Sequence, residues 1–299
     1  MRIAFLADIH GNLPALEAVV ADLKKQAPDA VYLVGDQINR CPWTNEVLDL
    51  IADKNWQGIS GNHELVVRHL AKPHSPIVFD NRKRFVDLWW TVERLDDRHL
   101  AAIEELPEEL ELEFDGCEAV RIVHGVPGDA FRGIFPGTEP EQVAAMLENV
   151  VEPIVVCGHT HRPLQRTYQR RGGDRSHVGA HFVVNGGSVG IPYNGDARAQ
   201  YVLLTNDGGR WAPLYRRVEY PLDAIRAAFG RPDLTEAYGP LTEIHLRTVE
   251  TALPWSSDFQ YWLGHERPDL QENLTEALAV YEHSHGPGRW YFQEALVAV

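Results

Sequence analysis

Ile3-Ala4-Phe5-Leu6-Ala7-Asp8-Ile9-His10-Gly11-Asn12 begins as an unbroken apolar run and ends abruptly in polar side chains. The run has strand length and is too short for a signal h-region, so it reads as a buried first strand with Asp8 and His10 at its carboxyl end. Helical spacing follows at Leu13, Leu16, Val20 and Leu23, with Asn12 as the N-cap and Pro14 in the first turn. The same grammar recurs at Gly35-Asp36, Gly61-Asn62-His63-Glu64, Val123-His124-Gly125 and Gly158-His159-Thr160-His161. Each of these segments follows an apolar, strand-like run and ends in glycine or a turn. Alternation of buried strands with helices argues for a layered α/β fold. Ligands of open α/β sheets bind at the carboxyl ends of strands. Carboxylate, imidazole and amide groups converging there make a nitrogen and oxygen site for divalent transition metals. Any one segment is a weak signal, since strands with polar ends are common. Five metal-competent ends in one chain are hard to explain as structure alone, because burying polar groups unpaired costs about 1–3 kcal/mol each.

Working outward, residues 65–106 read as helical, with Trp89, Trp90, Val92, Leu95, Leu100 and Ile103 as the apolar face. Residues 110–114 and 119–123 read as strands around the turn Asp115-Gly116. A helix carries Val143, Met146, Leu147 and Val150, and further strands lie at residues 154–156, 181–184, 201–204 and 211–215. From about Tyr220 onward only helices are read. There Asp269-Leu270-Gln271-Glu272 reads as a capping box after Pro268, with Leu270, Leu274, Leu278 and Tyr281 on one face. This tail is dense in aromatics, including Trp255, Phe259, Tyr261, Trp262, Trp290, Tyr291 and Phe292. Such a surface needs cover, so the tail is expected to shape access to the site or to contact a second copy in a homo-oligomer.

The 299 residues suffice for one large α/β domain, or one domain with an extension, and 44% apolar with 24% charged is ordinary globular usage. No run approaches the roughly 18 apolar residues of a membrane helix, so no membrane partner and a cytoplasmic location are expected. Cys41, Cys117 and Cys157 form no CxxC pair and are expected to be buried or semi-buried thiols rather than disulfides or zinc ligands. The net charge of −15 speaks against duplex nucleic acid as a partner, and the basic stretches Arg82-Lys83-Arg84 and Arg170-Arg171 are too short for a nuclease groove. A small phosphorylated substrate stays compatible, because bound cations make a pocket locally positive.

The order D-x-H, G-D, G-N-H-E, H, G-H-x-H over residues 1–217 resembles the calcineurin-like metallophosphoesterases, and the stretches at 7–16, 158–163 and 185–190 are similar to their small bacterial branch. The resemblance implies a four-layer α/β/β/α sandwich over residues 1–218; the helical reading at about 65–106 is then an insertion in it, and the C-terminal helical extension at 219–299 exceeds what the small bacterial branch usually carries. It also implies two divalent ions, with manganese the first choice and iron, zinc, nickel or magnesium accommodated. Asp8, His10, Asp36 and His161 would hold one ion, and Asn62, His124 and His159 would hold the other with Asp36 as the bridge. The implied activity is hydrolysis of a small phosphodiester or phosphomonoester by a hydroxide between the metals. His63 is implied as general acid and Arg40 as a phosphate contact. A protein phosphatase and a silent scaffold on the same fold are the alternatives. Gly35-Asp36-Gln37-Ile38-Asn39-Arg40 departs from the G-D-x-x-D-R stretch of the Ser/Thr protein phosphatases. Asn39 stands where they place the aspartate that orients the acid histidine. The other histidines, His69, His74, His99, His177, His181, His245, His265, His283 and His285, show no metal-type spacing and are expected to be solvated or hydrogen-bonded.

Overall fold

The apolar runs become the strands of two facing five-stranded sheets. The computed structural model describes residues 1–169 and 179–284; Arg170, Arg171, His177, His285, Trp290, Tyr291 and Phe292 lie outside the described residues. The first sheet has the order β10-β9-β1-β2-β3, built from β1 (Arg2–Leu6), β2 (Ala30–Leu33), β3 (Gln57–Gly58), β9 (Ala199–Asp207) and β10 (Arg210–Val218). The second has the order β4-β5-β6-β8-β7, from β4 (Glu109–Leu112), β5 (Val120–Val123), β6 (Ile154–Cys157), β7 (Pro163–Gln169) and β8 (Ala180–Gly186). In the first sheet β1 runs parallel to β2, with Phe5 beside Tyr32 and Leu6 beside Leu33. In the second, β5, β6 and β8 are mutually parallel. Parallel strands covered on both faces require continuous apolar sequence, which is why these runs lack alternation.

Between the sheets, Ile3, Phe5, Val202, Leu204 and Trp211 pack against Val120, Ile122, Ile154, Val156 and Val184. The outer face of the first sheet buries Ala4, Leu6 and Leu203 under α1 (Leu13–Gln26) and α2 (Thr44–Lys54), through Leu16, Val19, Leu23 and Val47. The outer face of the second buries Val123, Val155 and Val183 under Val143 of α6 (Pro140–Met146) and the following Leu147. These are the four layers expected. The Asn12 side chain caps α1 by accepting from the Ala15 amide at 3.1 Å.

The 65–106 region contains α3 (Asn62–Leu70), α4 (Val86–Arg94) and α5 (Asp97–Glu104). Among the described residues after β10 come only helices: α7 (Leu222–Phe229), α8 (Pro232–Tyr238), α9 (Leu241–Thr251), α10 (Trp255–His265) and α11 (Leu274–Ser284). They are joined to the rest by an apolar cluster in which Trp90 of α4, Cys41, Ile191 and Tyr193 meet Ile225, Phe229, Leu234 and Tyr238. A second cluster inside the extension holds Phe259, Trp262, Leu274 and Tyr281, and the Tyr281 hydroxyl donates to Asp258 at 2.9 Å.

Two readings need correction. Residues 269–272 are not a helix start. Pro268–Leu270 is a 3-10 turn, and α11 begins at Leu274 after Asn273, whose side-chain oxygen accepts from the Glu276 amide at 3.3 Å. A Pro-Asp pair serves a tight turn as well as a helix cap, and the asparagine four residues on takes the capping role. Strands β3 and β7 were not read either: β3 is only two residues long, and β7 has alternating exposed polar residues on a sheet edge. All three cysteines are free, with Cys41 and Cys157 buried.

Phe229 is 2% exposed at the junction of core and extension. Phe229→Ala should lower stability by about 3–5 kcal/mol, read from urea unfolding with an unchanged slope. A loss below about 1 kcal/mol would mean that the junction is not packed as described.

Candidate metal centre

The five polar segments all lie just past strand ends and converge on one point. Asp8 and His10 follow β1, Asp36 follows β2, Asn62 and His63 open α3 just after β3, His124 follows β5, and His159 and His161 follow β6. The two inner loops of the first sheet are tied to each other, with the Asp8 amide donating to Gly35 O at 3.1 Å and the His10 amide to Asp36 O at 2.9 Å. Glu64 fixes the Asp36 loop from α3. Its buried carboxylate accepts from the amides of Asp36 at 2.9 Å, Gln37 at 2.8 Å and Gly61 at 2.7 Å. Gly61 leaves room for the site, since a Cβ there would meet Asp36 Oδ1 at 2.2 Å.

Ten non-glycine residues among those described have positive φ, and seven belong to these loops: Asp8, His10, Asp36, Asn39, Arg40, His159 and His161, at +50° to +72°. The left-handed region disfavours side chains by about 1–2 kcal/mol per residue. Such concentration marks a place where geometry is imposed by the surroundings.

Ligating atoms of Asp8, His10, Asp36 and His161 all lie within 4.8 Å of one another, and all four residues are buried. The His161 Nδ1–H donates to Ile191 O at 2.5 Å, which turns its Nε2 lone pair inward, to 3.0 Å from His10 Nε2. Asp8 Oδ2 is buried without a hydrogen-bond partner among the described residues. Two imidazole nitrogens face to face and an orphaned carboxylate oxygen are unfavourable without a cation and well suited to one. A second convergence lies alongside. Asn62 Oδ1 is 3.0 Å from His124 Nε2 and 3.0 Å from His159 Nδ1, and His124 Nε2 is 3.3 Å from Asp36 Oδ2. His124 Nδ1 donates to Val34 O at 2.8 Å, again leaving Nε2 for the site.

The charge balance of the ion-free protein follows from burial. Burial holds the Asp8 carboxyl well above the usual range. Burial works the same way on Asp36, but the neighbouring His124 and His63 overcome it and hold this carboxylate well below. Burial opposes a proton on His124, yet Asp36 and Asp8 beside it push that imidazole up to about 10. His159 and His161 are pulled down to about 3, chiefly by burial, so both are neutral with free lone pairs.

His63 stands at the rim of this cluster. Its ring meets His10 edge-on at 4.8 Å between centroids, and its Nε2 lies 4.0 Å from Asp36 Oδ2. Asn39 does touch it, with Nδ2 2.7 Å from His63 Nδ1. The same amide nitrogen donates to Asp87 Oδ2 at 3.2 Å, and Asn39 Oδ1 accepts from the Thr91 hydroxyl at 2.9 Å. The carboxylate missing at position 39 is thus supplied one step further out, by Asp87 of α4. The sequence reading missed Asp87; the polar pair Asp87 and Thr91, four apart in a run of Leu and Trp, was the available signal. Arg40 also faces Asp87, with Nε 3.5 Å from Oδ2, and its Nη2 lies 3.5 Å from the Ser257 hydroxyl.

A cavity of about 550 Å³ opens over Asp36, His63 and His161. Further walls come from the insertion (Val78, Phe79, Arg84, Phe85), from α10 (Gln260, Tyr261, His265) and from Phe131. Tyr193 stacks on His161 at 4.3 Å, and its hydroxyl hydrogen-bonds Ser257 of α10 at 2.9 Å. The extension therefore reaches the site, as one of the two roles expected for it required. His265 is hydrogen-bonded, as expected, with Nδ1 2.9 Å from Tyr261 O, and it also belongs to the cavity wall.

Residues 1–209 match the model of the calcineurin-like phosphoesterase superfamily domain. The uncharacterized protein MJ0912 of Methanocaldococcus jannaschii is 26% identical over 213 residues, covering 68% of this chain and 82% of its own length. The crystal structure of a metallophosphoesterase from Sphaerobacter thermophilus superposes with a TM-score of 0.64 and 27% identity, covering 85% of this chain and 99% of that one. Hypothetical protein PH1004 from Pyrococcus horikoshii OT3 shares the fold, with a TM-score of 0.64, 22% identity, and 82% and 97% coverage. With the sandwich, the strand-end cluster and the family match in agreement, this chain belongs to the calcineurin-like phosphoesterase superfamily and is a metal-dependent hydrolase of phosphate esters.

Proposed function

We propose that the protein hydrolyses a small phosphodiester or phosphomonoester at a centre of two divalent ions, with manganese the first choice and iron, zinc, nickel or magnesium accommodated by the same nitrogen and oxygen donors. The observation that carries this reading is the position of Asp36, which lies in both convergences of ligating atoms: with Asp8, His10 and His161 on one side, and with Asn62, His124 and His159 on the other. When bound, the ions supply a water of lowered pKa as nucleophile and positive charge for the phosphoryl oxygens. The chain's own residues do the rest. Asn62 contributes a neutral ligand, which limits the negative charge around the pair. His63 holds a proton at Nε2 for the leaving oxygen, its ring oriented through Nδ1 by Asn39 and, behind it, Asp87. Arg40 lines the cavity and donates to a phosphate oxygen, with its own charge partly offset by Asp87. The cavity, walled by insertion and extension, favours a small substrate over a folded phosphoprotein.

His63→Ala should lower kcat about 100-fold or more on an alkyl phosphate ester, whose leaving oxygen needs a proton, and much less on a nitrophenyl ester. Asp36→Asn should instead weaken metal binding. Equal losses on both esters with His63→Ala would assign His63 to phosphate positioning, and full metal occupancy in Asp36→Asn would remove its bridging role.

Metal affinity should depend on pH. The proton on His124, held up to about 10, must leave before its Nε2 can ligate. Affinity should therefore rise with pH between 6 and 8, by about tenfold per pH unit for each proton released. Calorimetric titration of Mn²⁺ in two buffers of different ionisation enthalpy counts those protons, and a pH-independent affinity with no proton release would contradict this arrangement.

A further inference from the structure

Arg84 is an unusual member of the cavity wall. It is 7% exposed, yet no acidic side chain among the described residues lies within ion-pair distance of it. Its sequence neighbours behave ordinarily, Arg82 pairing with Glu93 and Lys83 with Glu272 at the surface. Arg40, the other cavity arginine, faces Asp87. The Arg84 guanidinium is held only by neutral groups: Nε donates to Gln260 Oε1 at 3.0 Å, Nη2 to Gln260 O at 2.7 Å, and the Phe85 ring lies 4.7 Å away. Gln260 Nε2 also donates to the Arg84 backbone carbonyl at 2.8 Å, so α10 ties both the backbone and the guanidinium of this residue. Nη1 has no hydrogen-bond partner among the described residues. The seat also needs Gly264, where a Cβ would meet Nη2 at 2.4 Å and Nη1 at 3.2 Å. Burial alone lowers the Arg84 pKa, with no acid opposing it. A buried guanidinium is costly unless an anion compensates it, and an anion in the cavity is placed to do so.

The apolar lining is equally specific. Of the few large hydrophobic residues left exposed, Val78 at 60% and Phe131 at 50% both line this cavity. Tyr261 and His265 stack on each other at 4.1 Å and 21° and present a flat aromatic pair in the same wall. Flat apolar faces at the opening and a clamped cation inside suit a leaving group that carries both an aromatic ring and an anion.

Resting on the phosphoesterase reading above, we propose that Arg84 binds a second phosphate of the substrate, and that the substrate is a nucleotide whose leaving group carries a phosphate in addition to the one hydrolysed. The reaction is the same hydrolysis: water adds to the phosphorus through its oxygen, the bond from phosphorus to the ester oxygen breaks, that oxygen takes the proton from His63, and the proton shed by the water replaces the one His63 gives. The second phosphate and the base stay with the leaving group, held by Arg84 and the aromatic wall.

Adenosine 3′,5′-bisphosphate and adenosine 5′-monophosphate are suitable probes, assayed with the full-length Mn²⁺-loaded protein and titrated calorimetrically into the same protein. Wild type should prefer the bisphosphate in KM and in binding by about tenfold or more, the range of one charged hydrogen-bonding contact. Arg84→Gln should collapse that preference to within about threefold, and Arg84→Lys should restore part of it. If Arg84 were only a strap between insertion and extension, Arg84→Gln would weaken both nucleotides by the same factor; that outcome, or the absence of any preference in wild type, overturns the proposal. Failure to hydrolyse any phosphate ester, including a nitrophenyl ester, would instead overturn the phosphoesterase reading, and the calorimetric comparison would still decide the role of Arg84.

Discussion

The structure depends on keeping two carboxylates, Asp8 and Asp36, buried side by side at adjacent strand ends. Neither can be solvated there, and like charges at such range oppose each other. In the ion-free protein burial favours a proton on Asp8, and a protonated His124 pairs with Asp36. A cation resolves the conflict better, since His124 and His161 are turned inward by backbone carbonyls, and His159 and His161 are neutral with free lone pairs. The seven left-handed residues in these loops show what is sacrificed to hold this arrangement. At about 1–2 kcal/mol each they are tolerable only because two fully packed sheets fix the strand ends from which the loops spring.

Around this centre the rest of the chain acts as wall. Insertion and extension are separated by more than a hundred residues in sequence, yet they meet in one apolar cluster through Trp90, Phe229 and Tyr238. Through Ser257 and Tyr193 the extension touches the stack on His161, and through Gln260 it grips Arg84 of the insertion. The sandwich thus supplies the candidate ligands, whereas the two helical additions wall the cavity above them. Fold alone does not specify a substrate; the site's walls do.

Much of the core was legible because its signals are local. Apolar runs of strand length ending in Asp, His and Asn report both the strand and its functional end, so Asp8, His10, Asp36, Asn62, His124, His159 and His161 were readable together. What could not be read depends on distant partners. Asp87 gains its importance only from Asn39 and Arg40, and a two-residue strand such as β3 has no periodicity to detect. Arg84 sits in a basic tripeptide that reads as a solvated surface, and only tertiary packing turns it inward while Arg82 and Lys83 stay out. At residues 269–272 a local pattern was present and misled, because turn and cap chemistry share the same residues.

The central claim is that Asp36 bridges two ions. Anomalous diffraction at the manganese edge, from crystals grown with ample Mn²⁺, tests it most directly. The account predicts two anomalous peaks roughly 3–4 Å apart, one against Asp8, His10 and His161, the other against Asn62, His124 and His159, with Asp36 touching both. A single peak, or two peaks held by other residues, would contradict it.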